Sequence, residues 1–394
     1  MVNIKTYAYG FPRIGKNREY KKIVENFWKK KINQEELIDS LWDIESNMES
    51  TYSQTIDSYP TNEMTMYDKM LDTAIMVGLY SPKNTEEYYE LCRGKNCLEM
   101  TKWFNTNYHY LVPDFSSWER PQFKVQGEIN NAKNPYFIGP FTFLKLSKGI
   151  PEDKFEEFAL YLAETYRDIL CKYNTVHIDE PAFVMDLTRK EISLIKDIYD
   201  IMSLTEKTSI NVFTYYEDVD WLRELFSLPV NGIGLDFVNG RNNLRDVLSM
   251  GSTLLKDKVL YAGFVDGINV WKTDIRHACV NLDYLSKMAK QVVVTNAGPL
   301  YHLPVTTDGE ENIQSELKNH LSFATEKLEE LNDISVRDYT KYEKYYGSWN
   351  NMVTDRVENL TDNDFVKSED VVERRKIQDE ILNLPELPTT TIGS

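Results

Sequence analysis

Three stretches of the 394-residue sequence hold side chains whose types and spacing suit chemistry. The first is "IDEP", residues 178–181, where Asp179 and Glu180 stand at the carboxyl end of a strand pattern, the place where barrel enzymes keep their reactive groups. Acting with a second acid such as Asp236 or Asp266, Glu180 could serve as a glycosidase acid or nucleophile. Both carboxylates could equally do no more than hydrogen-bond to neighbouring loops. The second stretch, "GFPRIGKNREYKK" (10–22), displays Arg18, Lys21 and Lys22 around the first turn of a helix. Cations at that end oppose the helix dipole, so they suit an anion site better than helix stability. A solvated basic face is the plainer reading. The third, "EMTKWFNTNYHYLVP" (99–113), sets Lys102, Asn105, Asn107 and His109 among aromatic rings, as a flat heteroaromatic ligand with a charged tail would require. A structural hairpin with its rings as core fits the same composition.

The rest of the composition narrows the partners. With 62 acidic against 45 basic residues the formal charge is −17, which repels nucleic acid and anionic membranes, so any anion site has to be local. No run of eighteen apolar residues occurs, and "MVNIKTYAYGFPRIG" lacks the layout of a secretion signal, which makes the cytoplasm the expected location. Cys92, Cys97, Cys171 and Cys279 are scattered without the two-residue gap of zinc knuckles and read as buried free thiols.

Positioning these residues requires a scaffold, and from about residue 135 one is visible. Short apolar runs alternate with helical stretches: "PYFIGP" (135–140), "VHIDEP" (176–181), "INVFTYY" (210–216), "GIGLDFV" (232–238), "VLYAGFVDG" (259–267) and "QVVVTNAG" (291–298). Upstream, "TYAYGF" (6–11) and the region of "DSYPTNEM" (57–64) bring the strand candidates to eight, the number that closes a (β/α)8 TIM barrel. Between strands, Phe155, Phe158, Ala159, Leu162 and Ala163 recur at the spacing of one buried helix face, and Tyr20, Ile23, Val24, Phe27 and Trp28 do the same. Residues 98–130 break the rhythm and predict an aromatic hairpin excursion. The expected organisation is a barrel over 1–332, a helical linker over 333–385, and at 386–394 a strand entering a turn, "LPTTTIGS".

Taken in order, "GFPRIGKNREYKK", "EMTKWFNTNYHYLVP", "IGPFTFLKLSK", "HIDEPAF", "GLDFV", "AGFVDGINVW" and "LPTTTIGS" resemble the N-terminal half of cobalamin-independent methionine synthase, from about Tyr9 to Ser394. The resemblance implies a protein of two barrels, with "TTTIGS" opening the second, so that the chain is cut or naturally ended where the catalytic barrel begins. It implies methyl transfer from 5-methyltetrahydrofolate polyglutamate to homocysteine, with a zinc ion that holds the sulfur as thiolate. In the family the zinc ligands are a His-x-Cys pair, a Glu and a Cys of the second barrel, so no metal site is expected in this chain, which should be inactive alone. The residues carried over for the folate tail are Arg18, Glu19, Tyr20, Lys21, Lys102 and Asn107, with Tyr20 where a leucine is usual. Homocysteine contacts carry over to Ile392, Gly393 and Ser394. "TNAG" (295–298) stands where first barrels more usually have "TSCS", and "IDEP" becomes the partner of a second-barrel motif. Competing expectations are an autonomous folate-binding module and a barrel hydrolase using Glu180.

Overall fold

The computed structural model describes residues 4–126, 132–205, 207–340 and 351–389. Its centre is a seven-stranded parallel sheet. In chain order the strands are β1 (Lys5–Thr6), an antiparallel pair β2 (Met100–Lys102) and β3 (His109–Leu111) that stands apart, then β4 (Tyr136–Ile138), β5 (Thr175–Asp179), β6 (Ser209–Thr214), β7 (Gly232–Asp236), β8 (Val259–Val265) and β9 (Gln291–Asn296). The main sheet runs β1-β9-β8-β7-β6-β5-β4. Every residue of β4 and β7 is buried, and burial on both faces makes such strands read as continuous apolar runs.

The edge strands β1 and β4 do not end in solvent. Tyr7 makes a parallel bridge to Ser58, and Thr61 makes one to Pro135, so residues 58–61 touch both edges. The expected strand at 57–64 is thereby reduced to two bridges, and the reason is local: Pro60 has no N–H to give a ladder, and Asn62 turns the backbone to φ 61°. The expected strand at 6–11 is likewise cut short, since Gly10 turns at φ 74°.

Helices follow the strands: α1 (Glu19–Trp28) and α2 (Gln34–Thr55) after β1, then α3 (Lys69–Met76) and α4 (Thr85–Arg93). After β4 come α5 (Pro140–Lys145) and α6 (Phe155–Leu170); α7 (Arg189–Met202), α8 (Leu222–Ser227), α9 (Arg241–Met250) and α10 (Ile275–Leu285) follow β5 to β8 in turn. Beyond β9 lie α11 (Ser315–Lys318) and α12 (Ala324–Val336). On α6 the predicted stripe holds: Phe158, Ala159, Leu162 and Ala163 are wholly buried, each large apolar side chain contributing roughly 2 kcal/mol. Phe155 is only half-buried, its ring 6.4 Å from that of Phe141. The α1 stripe is also seated, with Tyr20, Val24 and Phe27 buried and Ile23 and Trp28 packed beside them. Starts are capped by side chains: Asn33 and Glu36 form a reciprocal box on α2, as Thr188 and Glu191 do on α7.

The chain divides into two compact units, residues 1–340 and 341–394. The described part of the second holds α13 (Asn351–Glu358) and α14 (Val371–Leu382). Met352, Phe365 and Ile381 of this unit are exposed, so it buries little apolar surface of its own.

Candidate site for an anionic tail

The start of α1 is shaped by a tight loop. Gly15 at φ 77° and Arg18 at φ 61° are both left-handed, and Arg18 donates its N–H to the Gly15 carbonyl at 3.2 Å. Glu19 folds back on this loop, taking the Asn17 N–H at 2.9 Å and the Asn17 amide at 3.0 Å. Those bonds hold its carboxyl below the usual range against a burial effect in the opposite direction. Glu19 therefore builds the loop. Arg18 is exposed with no cap bond from its side chain, and Lys21 is exposed with Glu25 3.8 Å away.

Tyr20 does something else. Its ring is buried, its hydroxyl donates to the Met66 carbonyl at 2.8 Å, and burial pushes the phenol up to about 12. The Arg13 guanidinium sits 4.7 Å from the ring centre and donates to Thr65 Oγ1 at 2.7 Å and to the Tyr67 carbonyl. Arg13 thus ties the start of α1 to residues 65–67. Nothing in the sequence marked it, because its partners lie more than fifty residues further along the chain.

The predicted hairpin exists. Met100 pairs with Leu111 and Lys102 with His109, and Trp103 N–H bonds the Tyr108 carbonyl at 2.8 Å to close the tip. Lys102 and Asn107 are exposed on it, and the Asn107 carbonyl meets His109 Nδ1 at 3.1 Å. The hairpin reaches α1 through the core, where Leu111 packs in one cluster with Tyr20, Val24 and Phe27. Beside the hairpin lies a cavity of about 70 Å³ at the carboxyl end of β1 and β4, walled by Arg13, Asp68, Trp103, Tyr108, Tyr136 and Tyr301 among others. Arg18, Lys21, Lys102 and Asn107 do not line it. The predicted cations are exposed and none belongs to this aromatic wall. Ile392, Gly393 and Ser394 lie outside the described residues.

The carboxylates of "IDEP" are spoken for. Glu180 is fully buried and accepts the Phe141 N–H at 3.2 Å, the Thr142 N–H at 2.7 Å and the Tyr199 hydroxyl at 3.2 Å. Burial nevertheless raises its carboxyl to about 7. Asp179 accepts from His177 Nε2 at 2.7 Å, from the Tyr215 hydroxyl at 2.6 Å and from that of Tyr136. Since Nε2 must donate to the carboxylate, Nδ1 accepts from the Tyr7 hydroxyl at 2.8 Å, and burial lowers the His177 pKa, consistent with a neutral ring. Asp236 is buried and takes the N–H groups of Val238 and Asn239, while Asp266 takes those of Ile268 and Asn269. The hydrolase expectation fails on this geometry, because Glu180 is sealed from substrate and both candidate second acids are loop anchors.

Among the described residues no group of three or more His, Cys, Asp or Glu side chains could hold a metal ion. The residues present do not fit the zinc centre that the resemblance implies for the whole protein. The thiols differ from expectation: Cys92 and Cys279 are buried, but Cys97 and Cys171 are exposed.

Residues 5–290 match the family described as cobalamin-independent synthase, N-terminal domain. The chain belongs to this family. As a cobalamin-independent synthase N-terminal domain it is 38% identical, over 425 aligned positions and 99% of its length, to a protein of Thermotoga maritima named 5-methyltetrahydropteroyltriglutamate–homocysteine methyltransferase. It is 35% identical over its whole length to the protein of that name from Thermodesulfovibrio yellowstonii. The alignments cover 56% and 57% of those proteins, so this synthase domain spans about half the length of the curated relatives it matches. A B12-independent methionine synthase from Shewanella sp. W3-18-1, solved in complex with selenomethionine, superposes with a TM-score of 0.55 at 12% identity, covering 84% of this chain and 92% of that one. That likeness is one of fold.

Proposed function

We propose that this chain is the folate-tail-binding part of a cobalamin-independent methionine synthase, which transfers a methyl group from 5-methyltetrahydropteroyltriglutamate to homocysteine. The supporting observation is that relatives named for this reaction match nearly the whole chain, at 35–38% identity. The exposed side chains of Arg18, Lys21, Lys102 and Asn107 are assigned to supply cations and an amide donor to a tail of glutamate carboxylates in an otherwise acidic protein. Glu19 and Tyr20 act on this site by fixing the loop and the helix. Homocysteine contacts at 392–394 are assigned to the opening strand of a second, catalytic barrel, and the chemistry on sulfur to the rest of that barrel, corresponding to the part of the relatives that this chain does not span. The organisation proposed is 1–332 barrel, 333–385 linker and 386–394 the second barrel's opening strand, in a cytoplasmic enzyme. Closure of the first barrel into eight is proposed through residues 58–61, supported by their bridges to both β1 and β4.

Calorimetry with mono- and triglutamyl 5-methyltetrahydrofolate tests this reading. The triglutamyl form should bind more tightly, by a margin that shrinks with added salt. Replacing Arg18 and Lys21 together by Ala should cost about tenfold, the worth of two exposed charge contacts of under 1 kcal/mol each. Equal affinity for both forms, or a double variant that binds as the parent does, overturns the assignment.

A further inference from the structure

Helix α3 carries a pair of opposite charges, of which the lysine also borders the small cavity beside the hairpin. Lys69 and Asp72, three residues apart and so on one face of the helix, both line a cavity of about 460 Å³ on the flank of the sheet. This space opens beside residues 58–61, where a full strand is missing, and is bounded by Asn62, the start of α4, Tyr136 and the end of α6. No ion pair joins Lys69 to Asp72 or to any other carboxylate among the described residues. The Lys69 ammonium has three donors, but its one hydrogen bond goes to the Asn62 carbonyl at 2.9 Å, with the Tyr136 ring 4.9 Å away. Asp72 takes the Tyr88 hydroxyl at 2.7 Å. Burial works against both charges, lowering the lysine and raising the acid.

We propose that this flank cavity binds an α-amino acid with an apolar side chain, its carboxylate on Lys69 and its ammonium on Asp72. The pair itself selects this class, because two opposite charges in one cavity with no ion pair between them suit a ligand of no net charge that carries both signs. Met64, Met66, Ile75 and Met76 line the same cavity and offer a deformable apolar wall to an unbranched side chain. The volume lies within the range of ordinary small-ligand pockets, whereas the cavity near the hairpin, about 70 Å³, is too small for such a molecule. Arg18 and Lys21 do not line this cavity.

The test is calorimetry on the full 394-residue chain with L-norleucine, hexanoate and pentylamine, the last two each lacking one of the charges. Norleucine should bind saturably, and each single-charge probe at least about tenfold more weakly, since each forfeits a charge-assisted bond. Lys69→Met and Asp72→Asn should each lose about tenfold as well. Met76→Trp, which fills the cavity without touching either charge, should abolish binding while thermal unfolding shows an intact fold, and it decides the matter if the charge variants do not fold. Joint replacement of Arg18 and Lys21 by Ala should leave norleucine affinity unchanged, which separates this site from the tail site. The inference is overturned if norleucine gives no saturable heat up to about 10 mM, if hexanoate or pentylamine binds as tightly, or if folded Met76→Trp binds as the parent does.

Discussion

Asp179 and Glu180 are neighbours in sequence with opposite surroundings. Asp179 faces a cluster of aromatic side chains, where His177 stacks 3.9 Å from Phe213, and Glu180 turns the other way to hold the first amides of α5. Gly139 is what lets it do so, because a Cβ there would overlap the Glu180 carboxyl. Gly139→Ala should therefore destabilise the fold by about 2–3 kcal/mol, read as a shift in urea midpoint. In a Glu180→Ala background most of that cost should vanish, and a double-mutant cycle showing simple additivity would contradict the contact. Sequence alone offered Glu180 a catalytic role as readily as a structural one, because a strand-end carboxylate looks the same in both. What decides between them is whether its oxygens are already bonded, and the partners, Phe141, Thr142 and Tyr199, are 38 to 39 and 19 positions away in the chain.

Among elements, β4 to β9 were legible because each is buried on both faces, and the helix stripes on α1 and α6 because one face alone is. The strand expected at 57–64 was not, since Pro60 and a left-handed Asn62 override the β-branched and aromatic residues around them. The exposed cations of α1 and the hairpin could be picked out by charge, whereas Arg13 could not, because its role depends on carbonyls at 65–67. That role makes a prediction. Arg13→Met keeps the stem but deletes the bonds to Thr65 and Tyr67, and should cost about 2–3 kcal/mol while leaving the Tyr67 carbonyl without its charged donor. Amide exchange at Tyr20 and at 65–67 should quicken together, and exchange confined to one segment would show that the strut does not couple them.

For the molecule as a whole, burial raises Glu63 to about 8 and Asp68 and Glu180 to about 7. Each binds its proton more tightly folded than unfolded, so the stability it lends is full in acid and is lost as pH climbs through those values. His177 and His302 act in the opposite sense, because burial lowers both, His302 to about 4, and their effect is confined to pH below their ordinary value of about 6.5. Between about pH 6.5 and 8 the carboxylates prevail, and the unfolding midpoint should fall over that span by the equivalent of about 3 kcal/mol. Glu63→Gln should flatten the slope. A midpoint that rises across the same span would refute the burial of these acids. The two lone bridges at Ser58 and Thr61 have a consequence of their own. Where the neighbouring strands from β4 to β9 pair over three to six residues, each of these contacts is a single bridge, so native-state breathing should begin there. Deuterium should enter residues 58–61 before β5 to β8, and the same opening would give a small solute its way into the flank.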